Sequence, residues 1–215
     1  MFMTMKKTRK KSLTFLSFPL FMIGMISVQG FDLDSALHDT TQILNEQNSE
    51  KDTIIEKLHQ KGITIFTTWE SFMPNTQIRR DEAAKMLTLT HHYLADSVLA
   101  DKTPQWKDNC EFKDLNEARD DLRDVLITSC HEGLFHGWQN KFMPKNNITN
   151  WEILTVAGRI LYGVLDETNG HFATNYAEKL NQEHYLDGTT LMNTSQRDLP
   201  ATRWDLALIL DNILK

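Results

Sequence analysis

Two histidines on either side of a glycine, His131 and His136, have side chains that could bind a metal ion. Helical zinc sites of the protease type place two histidines four residues apart, so that both rings lie on one face. Here the spacing is five, which rotates the second ring by about 140° around the helix axis. Gly133 lies between them and is expected to end the helix. The sequence therefore predicts no metal site here, and the neighbours His91 and His92 are interpreted as surface residues.

The chain carries no other pattern that is typical of catalysis. The nucleophile-elbow, phosphate-loop and dinucleotide-binding motifs do not occur in it. Asp120 and Asp121 are adjacent carboxylates, but such pairs are common in an acidic chain and do not indicate hydrolysis. We therefore expect no catalytic residue, no cofactor and no metal, and interpret the protein as a non-enzyme.

The two cysteines of the chain, Cys110 and Cys130, are expected to form a disulfide. An even number of cysteines in an exported protein indicates pairing, because the compartment is oxidising. Closing a loop of about 20 residues would stabilise the fold by about 3 kcal/mol. The alternative is two buried free thiols. A zinc site is not indicated, because no further ligands cluster with them in the sequence.

The first 30 residues have the composition of a secretory signal peptide. Five basic residues precede an apolar stretch from about Ser12 to Val28, and Val28-Gln29-Gly30 matches a cleavage site. We expect cleavage and a secreted product. The alternative is an uncleaved anchor, although about 17 apolar residues are short for a membrane span. Residues 31–50 are predicted to be an acidic linker or a short helix, and no later segment reaches transmembrane length.

Beyond residue 30 the chain is strongly acidic. All 29 acidic residues lie there with only 18 of the 23 basic ones, which gives a net charge of −11. Binding to nucleic acid needs a basic surface, so nucleic acid is excluded as a partner. The remaining length of about 185 residues is enough for one domain or one compact repeat array.

An internal repeat relates two segments at an offset of 70 residues. Phe72-Met73-Pro74 corresponds to Phe142-Met143-Pro144 at this offset. A third and weaker copy contains Thr202-Arg203-Trp204-Asp205, which aligns with Thr149-Asn150-Trp151-Glu152 at an offset of 53. Further pairs at the offset of 70 are Ile78 with Ile148, Arg80 with Asn150, and Glu82 with Glu152.

Each copy is interpreted as two helices joined by a loop. In the second copy the first helix is predicted to bury one apolar stripe, to leave the charges between on a solvated face, and to end at Gly133. The stripe comprises Leu115, Ala118, Leu122, Val125, Leu126 and Cys130. The second helix is predicted to be amphipathic. Its buried positions are Trp151, Leu154, Gly158 and Leu161 in copy two, and Leu206, Ile209, Leu210 and Ile213 in copy three.

Threonines are predicted to cap the second helix in two of the copies. Thr149 and Glu152 fit a capping box, in which each side chain accepts a hydrogen bond from the backbone N–H of the other residue. Thr202 and Asp205 repeat this arrangement with a shorter acidic side chain. In copy one the corresponding position is Arg79, which cannot cap a helix in this way.

The order of these elements resembles the S-layer homology (SLH) repeats of bacterial envelope proteins. Phe112-x-Asp114 is similar to the start of a repeat, and the Phe-x-Pro segments are similar to its loop. The three second-helix starts are similar to its Ile-Thr-Arg-Ala-Glu signature. The resemblance implies a mostly all-α, pseudo-threefold bundle of three helix–loop–helix repeats after the signal peptide, at residues 51–110, 111–170 and 171–215.

The resemblance also implies binding of a cell-wall polysaccharide, often one with an acidic ketal sugar, in grooves between repeats. The signature arginine is the family's main ligand contact, which nominates Arg80 and Arg203 and, with an uncharged amide, Asn150. A guanidinium at the first turn of a helix adds forked donors to a site that favours anions. The alternative for both arginines is a salt bridge or a solvated helix end.

The implied protein is therefore secreted and attached to the cell surface or cell wall, without a membrane span after signal cleavage. Trp69, Trp138 and Trp204 lie near the loops and could stack on sugar rings or fill the core. The alternative function is a scaffold for another envelope protein, with a decayed glycan site. Asn150 in place of an arginine is the indication for that alternative.

Overall fold

Helices make up most of the structure, as the helical spacing of the apolar residues predicts. The computed structural model of the protein describes residues 49–95, 110–167, 171–192, 196 and 198–215. Over these ranges the chain forms seven α-helices and no β-strand. The prediction of a mostly all-α fold is confirmed. The predicted signal peptide (1–30) and most of the predicted linker (31–48) lie outside the described residues.

Within the described ranges, the helices are joined by tight turns and short 3-10 segments, among them Leu115–Glu117, Asp120–Leu122 and Thr190–Met192. In chain order they are α1 (49–60), α2 (Trp69–Phe72), α3 (Arg80–Ala95), α4 (Arg123–His131), α5 (Asn150–Tyr162), α6 (Thr174–Gln182) and α7 (Arg203–Ile213). The described part of α1 runs across residues 50 and 51, where the first repeat was expected to begin. Within the described ranges, no helix is long and apolar enough to cross a membrane.

Helices α1 and α4 end at glycines, as the sequence predicts. Gly62 follows α1 with a φ of 72°, and Gly133 follows α4 with a φ of 71°. Glycine adopts this left-handed conformation without the steric cost that other residues meet. The amide of Gly133 bonds to the carbonyl of Cys130, which closes the last turn of α4.

The prediction of one continuous first helix in the second copy is wrong for the N-terminal half of that helix. Leu115–Glu117 and Asp120–Leu122 are separate 3-10 turns, and α4 begins only at Arg123. The break occurs at Ala118 and Arg119, which are extended with ψ angles of 157° and 143°. One end of this segment is tied to the loop at Phe142 through Asp114, while α4 packs on α3. Because the two ends are held by different elements, the chain changes direction instead of continuing as one helix.

Helix α5 is buried on nearly every side, which corrects the prediction that it is amphipathic. The four predicted core positions are buried. They are part of a larger set, because 11 of the 13 residues of the helix are buried. The helix packs against both α6 and α3, so two of its faces are covered instead of one. Arg159 is buried within this helix. By contrast, the predicted apolar positions of α7 (Leu206, Ile209, Leu210 and Ile213) are buried as expected.

Gly158 allows α6 to approach α5 closely. A Cβ atom at this position would lie 2.3 Å from Cδ1 and 2.8 Å from Cβ of Tyr176, which is fully buried. We expect Gly158→Ala to lower the free energy of unfolding by about 2 kcal/mol, because overpacking outweighs the helix propensity that alanine adds. Urea unfolding followed by circular dichroism measures this. A more stable variant would show that α6 can move aside without loss of packing.

The starts of α3, α5 and α7 meet in a closed cycle of backbone hydrogen bonds. Ile78 N–H donates to the Ala201 carbonyl (3.0 Å), Ala201 N–H to the Ile148 carbonyl (2.9 Å), and Ile148 N–H to the Ile78 carbonyl (3.1 Å). All three side chains are fully buried. Each member of the cycle lies two residues before a helix, so the cycle holds the three helix starts side by side.

Candidate functional site

Arg80 begins α3, and its guanidinium is directed toward residues far along the chain. Nη1 donates to Oε1 of Glu152, and Nη2 donates to the carbonyl oxygen of His136 (2.9 Å). The guanidinium carbon lies over the rings of Phe135 (5.2 Å) and Phe142 (5.3 Å). The side chain is only 8% exposed. Arg80 is therefore a buried cation held by one carboxylate, one carbonyl and two aromatic faces.

Glu152 combines two tasks with its two carboxylate oxygens. Oε2 accepts from the backbone N–H of Thr149 (2.9 Å), while the Thr149 hydroxyl accepts from the N–H of Glu152 (3.3 Å). This is the capping box at the start of α5. Oε1 accepts from Arg80. A single glutamate thus caps one helix and balances the charge at the start of another.

A groove opens beside this ion pair, with a volume of ≈ 380 Å³. We call it the Arg80 groove, and its wall includes Arg80, Trp138, Glu152, Arg159, Glu167 and Phe172. Its size falls within the range of small-molecule binding sites in proteins. A second depression of ≈ 340 Å³ shares Arg80, Glu152 and Phe172 with it and adds Asp198.

A second buried ion pair lies in the same wall. The Arg159 guanidinium donates to Glu167 Oε1 through Nε (3.1 Å) and Nη2 (2.7 Å), and to the Leu134 carbonyl through Nη1 (2.8 Å). The Tyr176 hydroxyl also donates to Glu167 Oε1 (2.9 Å). Burial raises the pKa of Tyr176, so its phenol stays protonated at neutral pH and keeps this donor. Three donors therefore hold the Glu167 carboxylate at the rim.

Trp138 is the most exposed aromatic residue in the wall of the groove, with 69% of its surface open to solvent, compared with 38% for Phe172. Its backbone is nevertheless fixed by a two-residue hairpin turn. Trp138 and Lys141 exchange two backbone hydrogen bonds of 2.9 Å, and Gln139 and Asn140 both have positive φ angles, as in a type I′ turn. The amide of Lys113 donates to the carbonyl of Asn140 (2.9 Å). A rigid turn thus presents the indole ring to solvent.

Arg203 occupies the corresponding place at the start of α7. Its Nη1 donates to Oε2 of Glu82 (3.0 Å), and its guanidinium carbon lies over Phe66 (5.1 Å) and Phe72 (5.2 Å). The space beside this pair is only ≈ 50 Å³. The two arginines therefore make similar contacts, but the depression beside Arg203 is much smaller than the Arg80 groove.

Asn150, the third residue of the predicted set, is buried at the start of α5. Its side-chain amide donates to the carbonyl of Gln196 (2.7 Å), and its backbone N–H donates to the carbonyl of Leu199 (3.0 Å). Both contacts tie α5 to the segment before α7. The backbone cycle therefore positions Arg80, Asn150 and Arg203 at adjacent helix starts. The side chain of each contacts a different segment of the chain.

At the start of α7, Thr202 caps the helix, and Asp205 accepts from the Thr202 hydroxyl (2.7 Å) and also from a residue earlier in the chain. The Thr202 hydroxyl accepts from the N–H of Asp205 (3.1 Å). The Asp205 carboxylate accepts from the N–H (2.9 Å) and hydroxyl (3.0 Å) of Thr190. The shorter side chain of aspartate thus links α7 to the preceding 3-10 turn.

His136 lines the Arg80 groove, whereas Trp69, Trp204 and His91 lie outside its wall. Trp69 and Trp204 pack edge to face with ring centroids 4.8 Å apart. His91 is buried in α3, so its prediction as a surface residue is wrong, because α4 packs across this part of α3. Burial lowers the pKa of His91. Among the described residues, no group of three or more histidine, cysteine or acidic side chains could hold a metal ion.

A disulfide joins Cys110 to Cys130 across 20 residues of sequence. Close to it, Asp114 is almost fully buried and accepts from two backbone amides, Phe142 N–H through Oδ1 and Met143 N–H through Oδ2, both at 2.8 Å. Asp114 was identified from the sequence only as part of a repeat start. Its carboxylate in fact holds the Phe-Met-Pro loop that covers Arg80.

Arg159 and Glu167 were not predicted as site residues. One signal in the sequence could have identified Arg159. It is the only basic residue in the apolar run of α5, and a charged residue within a buried helix needs a partner. Glu167 carries no comparable signal, because an acidic residue after a helix is ordinary. Its role follows from the position of the chain after α5.

Comparison with known proteins adds no relationship to these observations. No model of a known protein family matches the sequence, and no curated protein is significantly similar to it.

Proposed function

We propose that this protein binds a cell-wall polysaccharide non-covalently, as an exported component of a bacterial envelope, and that the Arg80 groove is its main binding site. One observation carries the proposal. An open groove of ≈ 380 Å³ combines two ion pairs, each with a buried arginine and a partly exposed glutamate, with an exposed tryptophan on a rigid turn. Sugar-binding sites combine these features, because a sugar ring offers both an apolar face and many hydroxyl groups.

The proposed architecture is that of three SLH-like repeats around a pseudo-threefold axis. The closed cycle of Ile78, Ile148 and Ala201 supports it. So does the recurrence of one contact, in which an arginine at a helix start pairs with the glutamate at the next helix start. Arg80 does this with Glu152, and Arg203 with Glu82. In the third place Asn150 stands in for the arginine, which breaks the equivalence of the three grooves.

The disulfide supports the proposed location outside the cytoplasm. Disulfides persist in oxidising compartments and are rare where thiols are kept reduced. The signal-like segment at residues 1–30 points the same way. The proposed role is binding without a catalytic step, in which the protein is held at the cell surface by its glycan.

Sedimentation of the purified protein with native cell-wall sacculi tests the proposal. We expect the protein to sediment with the sacculi, and Trp138→Ala to weaken the apparent affinity by about tenfold or more, because aromatic side chains at the centre of a site carry much of its binding energy. Trp138 is largely exposed, so its removal leaves the core intact.

Tyr93→Ala is the matched control for this experiment. Tyr93 is also an exposed aromatic residue, but it lies beside a different depression, where Lys61 contacts its ring. This variant should sediment like the unaltered protein. Failure of the unaltered protein to sediment, or equal effects of the two substitutions, would contradict the proposal.

A further inference from the structure

The charged side chains of the Arg80 groove are arranged with the cations inside and the anions toward solvent. The arginine side chains are 8% exposed (Arg80) and 7% exposed (Arg159). Their partners are 31% exposed (Glu152) and 26% exposed (Glu167). The charged groups that a ligand meets are therefore mainly carboxylates, which accept hydrogen bonds and cannot donate them when ionised.

Each terminal nitrogen of both arginines already donates a hydrogen bond within the protein. Arg80 uses its two terminal nitrogens on Glu152 and the His136 carbonyl. Arg159 uses Nε and both terminal nitrogens on Glu167 and the Leu134 carbonyl. An acidic ligand that sought Arg80 would have to displace Glu152. Because Glu152 also caps α5 through its other oxygen, that exchange would uncap a buried helix.

The net charge of the groove gives an acidic ligand no compensation for this cost. Its two arginines and two glutamates cancel formally, and Asp198 adds a negative charge in the adjoining depression. The chain as a whole is also acidic, with a net charge of −6. A carboxylate-bearing sugar would meet exposed carboxylates in a site without excess positive charge, which is unfavourable.

We infer that the Arg80 groove selects a neutral, hydroxyl-rich sugar instead of an acidic one. Hydroxyl groups donate to the partly exposed carboxylates of Glu152 and Glu167, while one face of the ring stacks on Trp138. This inference rests on the proposed function and specifies its ligand class. It differs from the acidic ketal sugar that the SLH resemblance implies.

Sacculi whose carboxyl groups have been converted to amides distinguish the two ligand classes. The unaltered protein should sediment with amidated sacculi at least as well as with untreated ones. Raising NaCl from about 0.05 to about 0.5 M should change retention on either material by less than about twofold, because salt screens contacts between charges and leaves neutral contacts largely intact. A loss of more than about threefold on amidation, or release by salt, overturns the inference.

Glu152→Gln supplies a second measurement, with Glu82→Gln as its matched control. Glutamine preserves the shape of the side chain but leaves Arg80 without its counter-charge, so the ratio of retention on untreated to amidated sacculi should rise by about fivefold. Glu82→Gln removes the same charge beside the ≈ 50 Å³ depression and should leave the ratio unchanged. Thermal melts show that each variant is folded.

The outcomes separate the two proposals. If the unaltered protein binds neither untreated nor amidated sacculi, the proposed function fails and the inference falls with it. If the protein binds untreated sacculi only, the proposed function stands and the neutral-sugar inference is overturned. An unchanged ratio in folded Glu152→Gln also counts against it, because the carboxylate would then not be what excludes acidic sugars.

Discussion

Glu152→Ala is expected to lower the free energy of unfolding by about 3–5 kcal/mol, the largest single effect at the site. The substitution leaves the Arg80 guanidinium buried without the carboxylate of Glu152. It also removes the acceptor for the N–H of Thr149 at the start of α5. An uncompensated buried charge is far more costly than the loss of an exposed salt bridge. Denaturant unfolding of the purified protein measures the change.

A double-mutant cycle with Arg80→Met separates the two causes. Methionine removes the charge and keeps an apolar side chain against Phe135 and Phe142. In the unaltered protein these two rings contact the Arg80 guanidinium. In the Arg80→Met background, Glu152→Ala should cost only about 1 kcal/mol, the value of a lost helix cap. Equal costs in both backgrounds would show that Glu152 stabilises the fold through the cap alone.

Asp114→Ala is expected to lower the free energy of unfolding by about 3–4 kcal/mol, because two hydrogen bonds to a charged acceptor are lost together. The amides of Phe142 and Met143 would then remain without their acceptor in the interior of the loop. Asp114→Asn should have a smaller effect, because its single oxygen can still accept one of the two. Hydrogen exchange should become faster at these two amides before it does elsewhere.

Asp121→Ala is the control for the Asp114 substitution. Asp121 pairs with Arg119, and both side chains are about half exposed, so its loss should change stability little. Asp114→Ala should also weaken binding to sacculi, since the loop that it loosens adjoins the Trp138 turn. Normal hydrogen exchange at Phe142 and Met143 in Asp114→Ala would disprove the assigned role of this carboxylate.

The parts of the fold that could be predicted from the sequence depend on neighbours within about one helical turn. The threonine cap at Thr149 and the terminating glycines Gly62 and Gly133 follow from such local contacts. The buried positions of α7 follow from helical spacing. The disulfide follows from the number of cysteines, since only one intramolecular pairing exists for Cys110 and Cys130.

The predictions that are wrong concern the number of helix faces that other segments of the chain cover. Periodicity predicts one buried face, but 11 of the 13 residues of α5 are buried because two other helices cover it, and 8 of the 11 residues of α7 are buried as well. The same reason explains His91, whose position on α3 gives no indication that α4 lies across it. The break at Ala118 depends on the anchoring of Asp114 to a loop 28 residues away.

The candidate site shows the same division between local and long-range information. Arg80, Asn150 and Arg203 were nominated from the sequence through the resemblance to SLH repeats, and they are the first residues of α3, α5 and α7. Their partners could not be identified in this way. Glu152 lies 72 residues from Arg80, and Glu82 lies 121 residues from Arg203, so no local pattern joins them.

The sequence by itself determined the helical class, the helix caps and ends, and the residues at the three helix starts. Only the tertiary structure decided that the arginines are buried beneath their glutamates and that Trp138 stands exposed beside one of them. The physical reason is that capping and helical periodicity act within a few residues, whereas the burial of a charge depends on which distant segments cover it. The chemistry that the groove presents to a ligand is therefore a property of the folded chain.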